Sequence, residues 1–181
     1  MFRRFLEERL RKGPLLKKLR DEVFKASTRI IDVAALDGVL QEDIRNSKSH
    51  VVIFSPFLNV SRVKLFLSMK ALIDALKRGI KVIVVTRPAV KRWVSDPGEQ
   101  RECIKLLSES DIRVVEIDAL HFKAVIIDDE IIYLGSINIL SIVPLEYYPP
   151  DYMVRFESEV LVEEIIENVL GKEKYYKEVL K

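Results

Sequence analysis

The chain has 181 residues, 49% of them hydrophobic and 32% charged, with a net charge of +2 at pH 7. That length supports one domain with a sizeable core, and the near-neutral balance excludes a protein that coats nucleic acid through bulk charge, so any basic surface must be local. The single cysteine, Cys103, excludes an internal disulfide or a cysteine-based metal cluster and reads as a buried, inert thiol in a helix.

No apolar run approaches the length of a membrane span. Residues 1–18 are basic throughout and lack the apolar core of a secretion signal, which points to the cytoplasm. Two glutamines and four asparagines, set against abundant Ile, Val, Lys, Arg and Glu, make a bias typical of proteins from hot environments.

In chain order, residues 2–12 place Phe2, Phe5, Leu6 and Leu10 at helical spacing, and Gly13-Pro14 breaks the helix. Residues 15–26 form a second amphipathic candidate. Residues 1–37 are therefore read as a charged helical extension ahead of a domain over 38–181. The plainer role for the extension is a cap packed on the domain. A partner-binding arm, a dimerisation element and a junction with a larger protein stay open. A short helix follows over 39–46, then a turn at Ser47-Lys48-Ser49.

Residues 51–54 are a continuous apolar strand, as expected for a sheet covered on both faces. Ser55-Pro56-Phe57 leaves that strand at the proline. A helix is expected over 61–78, with apolar residues at 65, 69, 72, 73 and 76 and Gly79 as its stop. The strand over 81–85 completes a β-helix-β unit, which implies parallel pairing. A basic loop (86–98), a helix (99–110) and a strand (112–117) follow. The last strand and helix are expected at 152–156 and 159–170. The sum is an α/β domain with a mixed, mostly parallel sheet and helices on both faces.

The most informative stretch is His121-Phe122-Lys123-Ala124-Val125-Ile126-Ile127-Asp128, then Gly135-Ser136-Ile137-Asn138. Ala124 to Ile127 reads as a buried strand, Asp128-Asp129-Glu130 as a turn and Ile131 to Leu134 as the returning strand. Alternation puts His121 and Lys123 on one side and Phe122 on the other. A hairpin would return Gly135 to Asn138 beside His121. A nucleophile or base, a fixed cation, a hydroxyl and an amide would then converge, a set suited to a phosphate ester.

These residues match the pattern His-x-Lys-x4-Asp-x6-Gly-Ser-x-Asn, carried by His121, Lys123, Asp128, Gly135, Ser136 and Asn138. By it the chain resembles the phospholipase D superfamily, over roughly residues 38–170. Many members carry the motif twice in one chain. This chain carries it once, and its other histidine, His50, has no lysine two residues later. It resembles the short single-motif nucleases, which build one site across a homodimer.

The resemblance implies a metal-independent phosphodiesterase, without cofactor, acting on DNA or RNA. It implies that His121 forms a phosphohistidine while Lys123 and Asn138 hold the phosphate. Ser136 donates to phosphate or orients His121, and Asp128 supports the site or simply opens the turn. Members also carry an acidic residue, usually Glu, before the next strand, where it orients the histidine. Asp151 is the best positional match, with Glu157 and Glu159 as runners-up. Ser141 lines the pocket by similarity.

For substrate binding, Arg87, Lys91, Arg92 and Trp93 form a basic, aromatic loop after a strand end, where ligands of open α/β sheets sit. A solvated loop with one packed Trp is an equal reading. Tyr147 and Tyr148 invite the same suggestion. Two other functions remain open. One is a non-catalytic nucleic-acid-binding module related to the tail domains of helicase-type ATPases. The other is a phospholipid-directed diesterase, which the lack of a membrane segment and of a second motif disfavours.

Overall fold

The computed structural model describes residues 28–142 and 151–181. The helices expected over 2–12 and 15–26, and Tyr147 and Tyr148, lie outside the described residues. The element order is β1 (Thr28–Asp32), α1 (Val33–Asn46), β2 (His50–Phe54), α2 (Val60–Leu67), α3 (Lys70–Lys77), β3 (Lys81–Thr86), α4 (Pro97–Ser108), β4 (Arg113–Glu116), β5 (Ala124–Ile127), β6 (Ile131–Gly135), β7 (Tyr152–Glu157), α5 (Glu159–Val169) and α6 (Lys172–Lys174), which runs into a π-helical segment, Tyr175–Val179.

One sheet carries all seven described strands in the order β1-β7-β6-β5-β2-β3-β4. It is mixed, as expected, but the balance differs. Only β2–β3 and β3–β4 are parallel. The β1–β7, β7–β6, β6–β5 and β5–β2 pairings are all antiparallel. The β-helix-β unit sets the parallel half, and the β5–β6 hairpin reverses the chain and sets the rest. The C-terminal ends of β2, β3, β4 and β6 therefore meet the N-terminal ends of β5 and β7 at one pole of the sheet.

Both faces are covered. Val51, Ile53, Val82, Val84, Val125 and Ile127 point into a core with α1, α2, α3 and α4. Val52, Phe54, Ile83, Val85, Ala124 and Ile126 point the other way, toward Val162 and Ile166 of α5 and Tyr175 and Val179. Burial on both sides is why these strands read as unbroken apolar runs.

Two expectations change. Residues 28–37 belong to the domain: β1 pairs with β7 along its length, and Ile31 is buried beneath α1. Asp32 caps α1 by accepting from the Ala35 N–H at 2.8 Å. The helix expected over 61–78 is two. α2 ends where the Ser68 N–H and Oγ both turn back to carbonyls of its last turn, and Met69 is extended. The break changes the buried phase, so Met69, Ala71, Leu72 and Ala75 face the core while Leu65 and Ile73 are exposed.

Candidate active site

The site grows from the β5–β6 hairpin. Its turn residues, Asp128 and Asp129, both adopt positive φ, a conformation Asp tolerates better than most residues. The turn lies at the opposite end of β5 from His121. There the Asp128 carboxylate accepts from the backbone N–H groups of Lys48 (2.8 Å), Ser49 (2.8 Å) and His50 (3.0 Å). Asp128 thus holds the start of β2 against the hairpin, away from the cleft described below.

His50 belongs to that far pole too. Its ring meets Ser49 Oγ at 2.6 Å and Asp129 Oδ1 at 3.1 Å. Asp129 also accepts from the hydroxyls of Tyr175 (3.0 Å) and Tyr176 (3.3 Å). These bonds fasten the C-terminal segment to the turn.

At the near pole, His121, Phe122, Lys123, Leu134, Gly135 and Ser136 line an open cleft of about 580 Å³. The hairpin therefore does bring the two motif segments together. His121 is exposed, in the loop before β5. Lys123 is half-buried, and its Nζ donates to the His121 carbonyl at 3.0 Å. Burial holds the Lys123 ammonium below the usual lysine range, the Arg87 charge lowers it further, and Asp151 opposes both.

Gly135 has a steric reason to be glycine. A Cβ there would sit 2.1 Å from the Tyr152 carbonyl oxygen, so only hydrogen lets β6 end this close to β7. The same approach brings Ser136 to Asp151. Ser136 Oγ donates to Asp151 Oδ1 at 2.6 Å, and the Ser136 N–H donates to the Tyr152 carbonyl at 3.2 Å. Asp151 thus reaches the cleft through Ser136. Glu157 closes β7 and Glu159 follows it, both at the strand's other end, and Glu157 pairs with Arg155 at 2.6 Å.

Asn138 and Ser141 occupy the turn after β6, where the Ser141 N–H donates to the Asn138 carbonyl at 2.9 Å. The Asn138 Oδ1 is buried without a hydrogen-bond partner among the described residues. Such an amide has a polar end still to be satisfied. Ser55 and Asn59 hold the turn: Ser55 Oγ accepts from the Leu140 N–H at 3.1 Å, and the Asn59 N–H donates to the Leu140 carbonyl at 2.8 Å.

The four loop residues separate. Lys91 and Arg92 are exposed, and the Arg92 guanidinium lies 4.9 Å from the centre of the Trp93 ring. Arg87 instead turns inward. Its Nε donates to the Leu120 carbonyl at 2.6 Å and its Nη1 to the Trp93 carbonyl at 2.9 Å.

Gln100, which the sequence does not single out, is buried beneath this pole. It donates to Thr86 Oγ1 and the Arg87 carbonyl, both at 2.9 Å, and accepts from the Leu58 N–H at 3.1 Å. A polar residue on the inner face of α4 is the only signal that marks it.

Among the described residues, no group of three or more His, Cys, Asp or Glu side chains is placed to hold a metal ion. No described helix is long and apolar enough to cross a membrane.

The fold has clear relatives. Nuc from Salmonella typhimurium, a phospholipase D family member, superposes with a TM-score of 0.60 at 19% identity, over 79% of this chain and 91% of that one. NucT from Helicobacter pylori superposes with a TM-score of 0.60 at 17% identity, over 86% and 96%. TrmBL2, an archaeal chromatin protein, superposes with a TM-score of 0.51 at 14% identity, over 98% of this chain and 66% of its own. No curated protein sequence matches the chain significantly. The family profile described as cardiolipin synthase, PLD-like domain, matches residues 40–141, which is more than half of the chain and includes every motif residue from His121 to Asn138. The chain therefore belongs to the phospholipase D superfamily.

Proposed function

We propose that the chain is a metal-independent phosphodiesterase, most directly a nuclease, whose site is shared by two copies. The observation that carries this reading is the single complete motif, with His121, Lys123, Gly135 and Ser136 on one cleft. A ring nitrogen of His121 attacks phosphorus, forming a P–N bond as the P–O bond to the leaving group breaks. His121 of a second copy gives its proton to that leaving oxygen. The second imidazole, now neutral, takes a proton from water, which attacks phosphorus and releases the first. Charge on the non-bridging oxygens meets Lys123 and Asn138.

Nuc and NucT share the fold, and the basic loop at 91–93 suits a phosphate backbone. His121→Asn should abolish cleavage of DNA, RNA and a generic phosphodiester while leaving the fold intact by circular dichroism. Wild-type cleavage should survive excess chelator. Full turnover by His121→Asn would sink the proposal, and cleavage confined to phospholipid vesicles would move the substrate to lipid.

A second reading, a DNA-binding module without turnover, is favoured by the likeness to TrmBL2, a chromatin protein with a described mode of DNA binding. Wild-type protein that retards DNA yet cleaves no phosphodiester would establish it.

A further inference from the structure

Arg87 is the first residue out of β3, and its guanidinium makes an unusual set of contacts. It donates to the carbonyl of Leu120, the residue before His121, and to the carbonyl of Trp93, at the tip of the basic loop. Its plane also lies over the Phe57 ring, 4.6 Å from the centre. Gln100 clamps its backbone carbonyl. Among the described residues its charge has no carboxylate partner. Two of its donors are thus already engaged with backbone, unlike those of an arginine waiting for a phosphate. A planar fork can span two carbonyls at fixed separation, whereas a lysine ammonium is one point charge on a flexible stem.

We propose that Arg87 is a positioning residue: it sets the segment that carries His121 and ties that segment to the Trp93 loop, so that a ligand seated on the loop and the placement of His121 are coupled. Movement of the Trp93 carbonyl is carried through a rigid guanidinium to the Leu120 carbonyl, one peptide from His121. Only the kinetic arm of the test rests on the phosphodiesterase reading.

The chain supplies its own probes, with one tryptophan and two histidines. Trp93 fluorescence reports on the loop. The ring protons of His121 and His50, read by NMR, report on opposite poles. In Arg87→Lys the His121 resonance should shift, the Trp93 emission should move to the red, and the His50 resonance should stay. With bis(p-nitrophenyl) phosphate, a generic diester, kcat should fall by about 100-fold, as for a misplaced reacting group, with KM little changed. Guanidinium ion should restore part of the activity of Arg87→Ala.

An unmoved His121 resonance and kcat, with only KM raised, would make Arg87 a substrate contact and overturn the proposal. If Arg87→Lys shifts both histidines, Arg87→Gln decides: it keeps one donor toward Leu120, and an unmoved His121 there overturns the coupling. If the wild type cleaves no diester, the diesterase reading falls, and the two spectroscopic arms still decide the role of Arg87.

Discussion

Burial, together with the opposing charges of Arg87 and Asp151, sets when Lys123 loses its proton. Burial and Arg87 lower its pKa, while Asp151 raises it. In Asp151→Asn the raising influence is gone, so the ammonium deprotonates at a lower pH than in the wild type. If turnover needs charged Lys123, the alkaline limb of kcat/KM against pH should move to lower pH in that variant. A limb that stays or moves upward would separate Lys123 from the rate. Asp128 makes the contrasting case. Its carboxylate binds three backbone N–H groups at the far pole. Asp128→Asn should cost about 1–3 kcal/mol in urea denaturation, the scale of lost charge-assisted hydrogen bonds. Turnover per folded molecule should hold near the wild-type value.

Among the elements, the close pass of β6 over β7 is the most exacting contact near the site. Gly135→Ala must push the Tyr152 carbonyl away, which separates Ser136 from Asp151. It should destabilise the protein by roughly 1–3 kcal/mol, as overpacking does, and should lower activity beyond what the lost stability explains. Thermal unfolding and turnover at a fixed folded fraction check both. Much at this scale could be read in advance. β2, β3 and β5 are apolar on both faces, so their composition announces them, and the β5–β6 hairpin places both motif segments on one cleft. What stayed hidden depends on distant partners. β1 buries little besides Ile31, and its strand state comes from pairing with β7, far along the chain. The α2–α3 break was masked because Leu65 and Ile73 keep helical spacing while facing solvent. The reach of Arg87 to Leu120 and the clamp by Gln100 are side-chain geometries that no local pattern encodes.

At the scale of the whole molecule, one copy places one histidine on the cleft, whereas the proposed reaction uses two. If two copies share the site, His121→Asn mixed with an equal amount of wild type and allowed to exchange should leave about a quarter of the activity, since a statistical mixture of closed dimers holds that share of wild-type pairs. Half the activity would indicate that each copy works alone. Sedimentation of the wild type should show the dimer at the concentrations where turnover is measured.

The two poles also differ in what they can bear. At one end lie the motif residues other than Asp128, the basic loop and their supports. At the other, Asp128, Asp129, His50 and the two tyrosines fasten the hairpin, the start of β2 and the C-terminal segment together. Lys48 is exposed at that second end and reaches Glu130 at 3.4 Å. A protein so divided has a natural handle. Coupling to a solid support through a cysteine placed at Lys48 would turn every molecule with its cleft outward, and the buried Cys103 thiol, pushed by burial up to about 12, would not compete for the reagent.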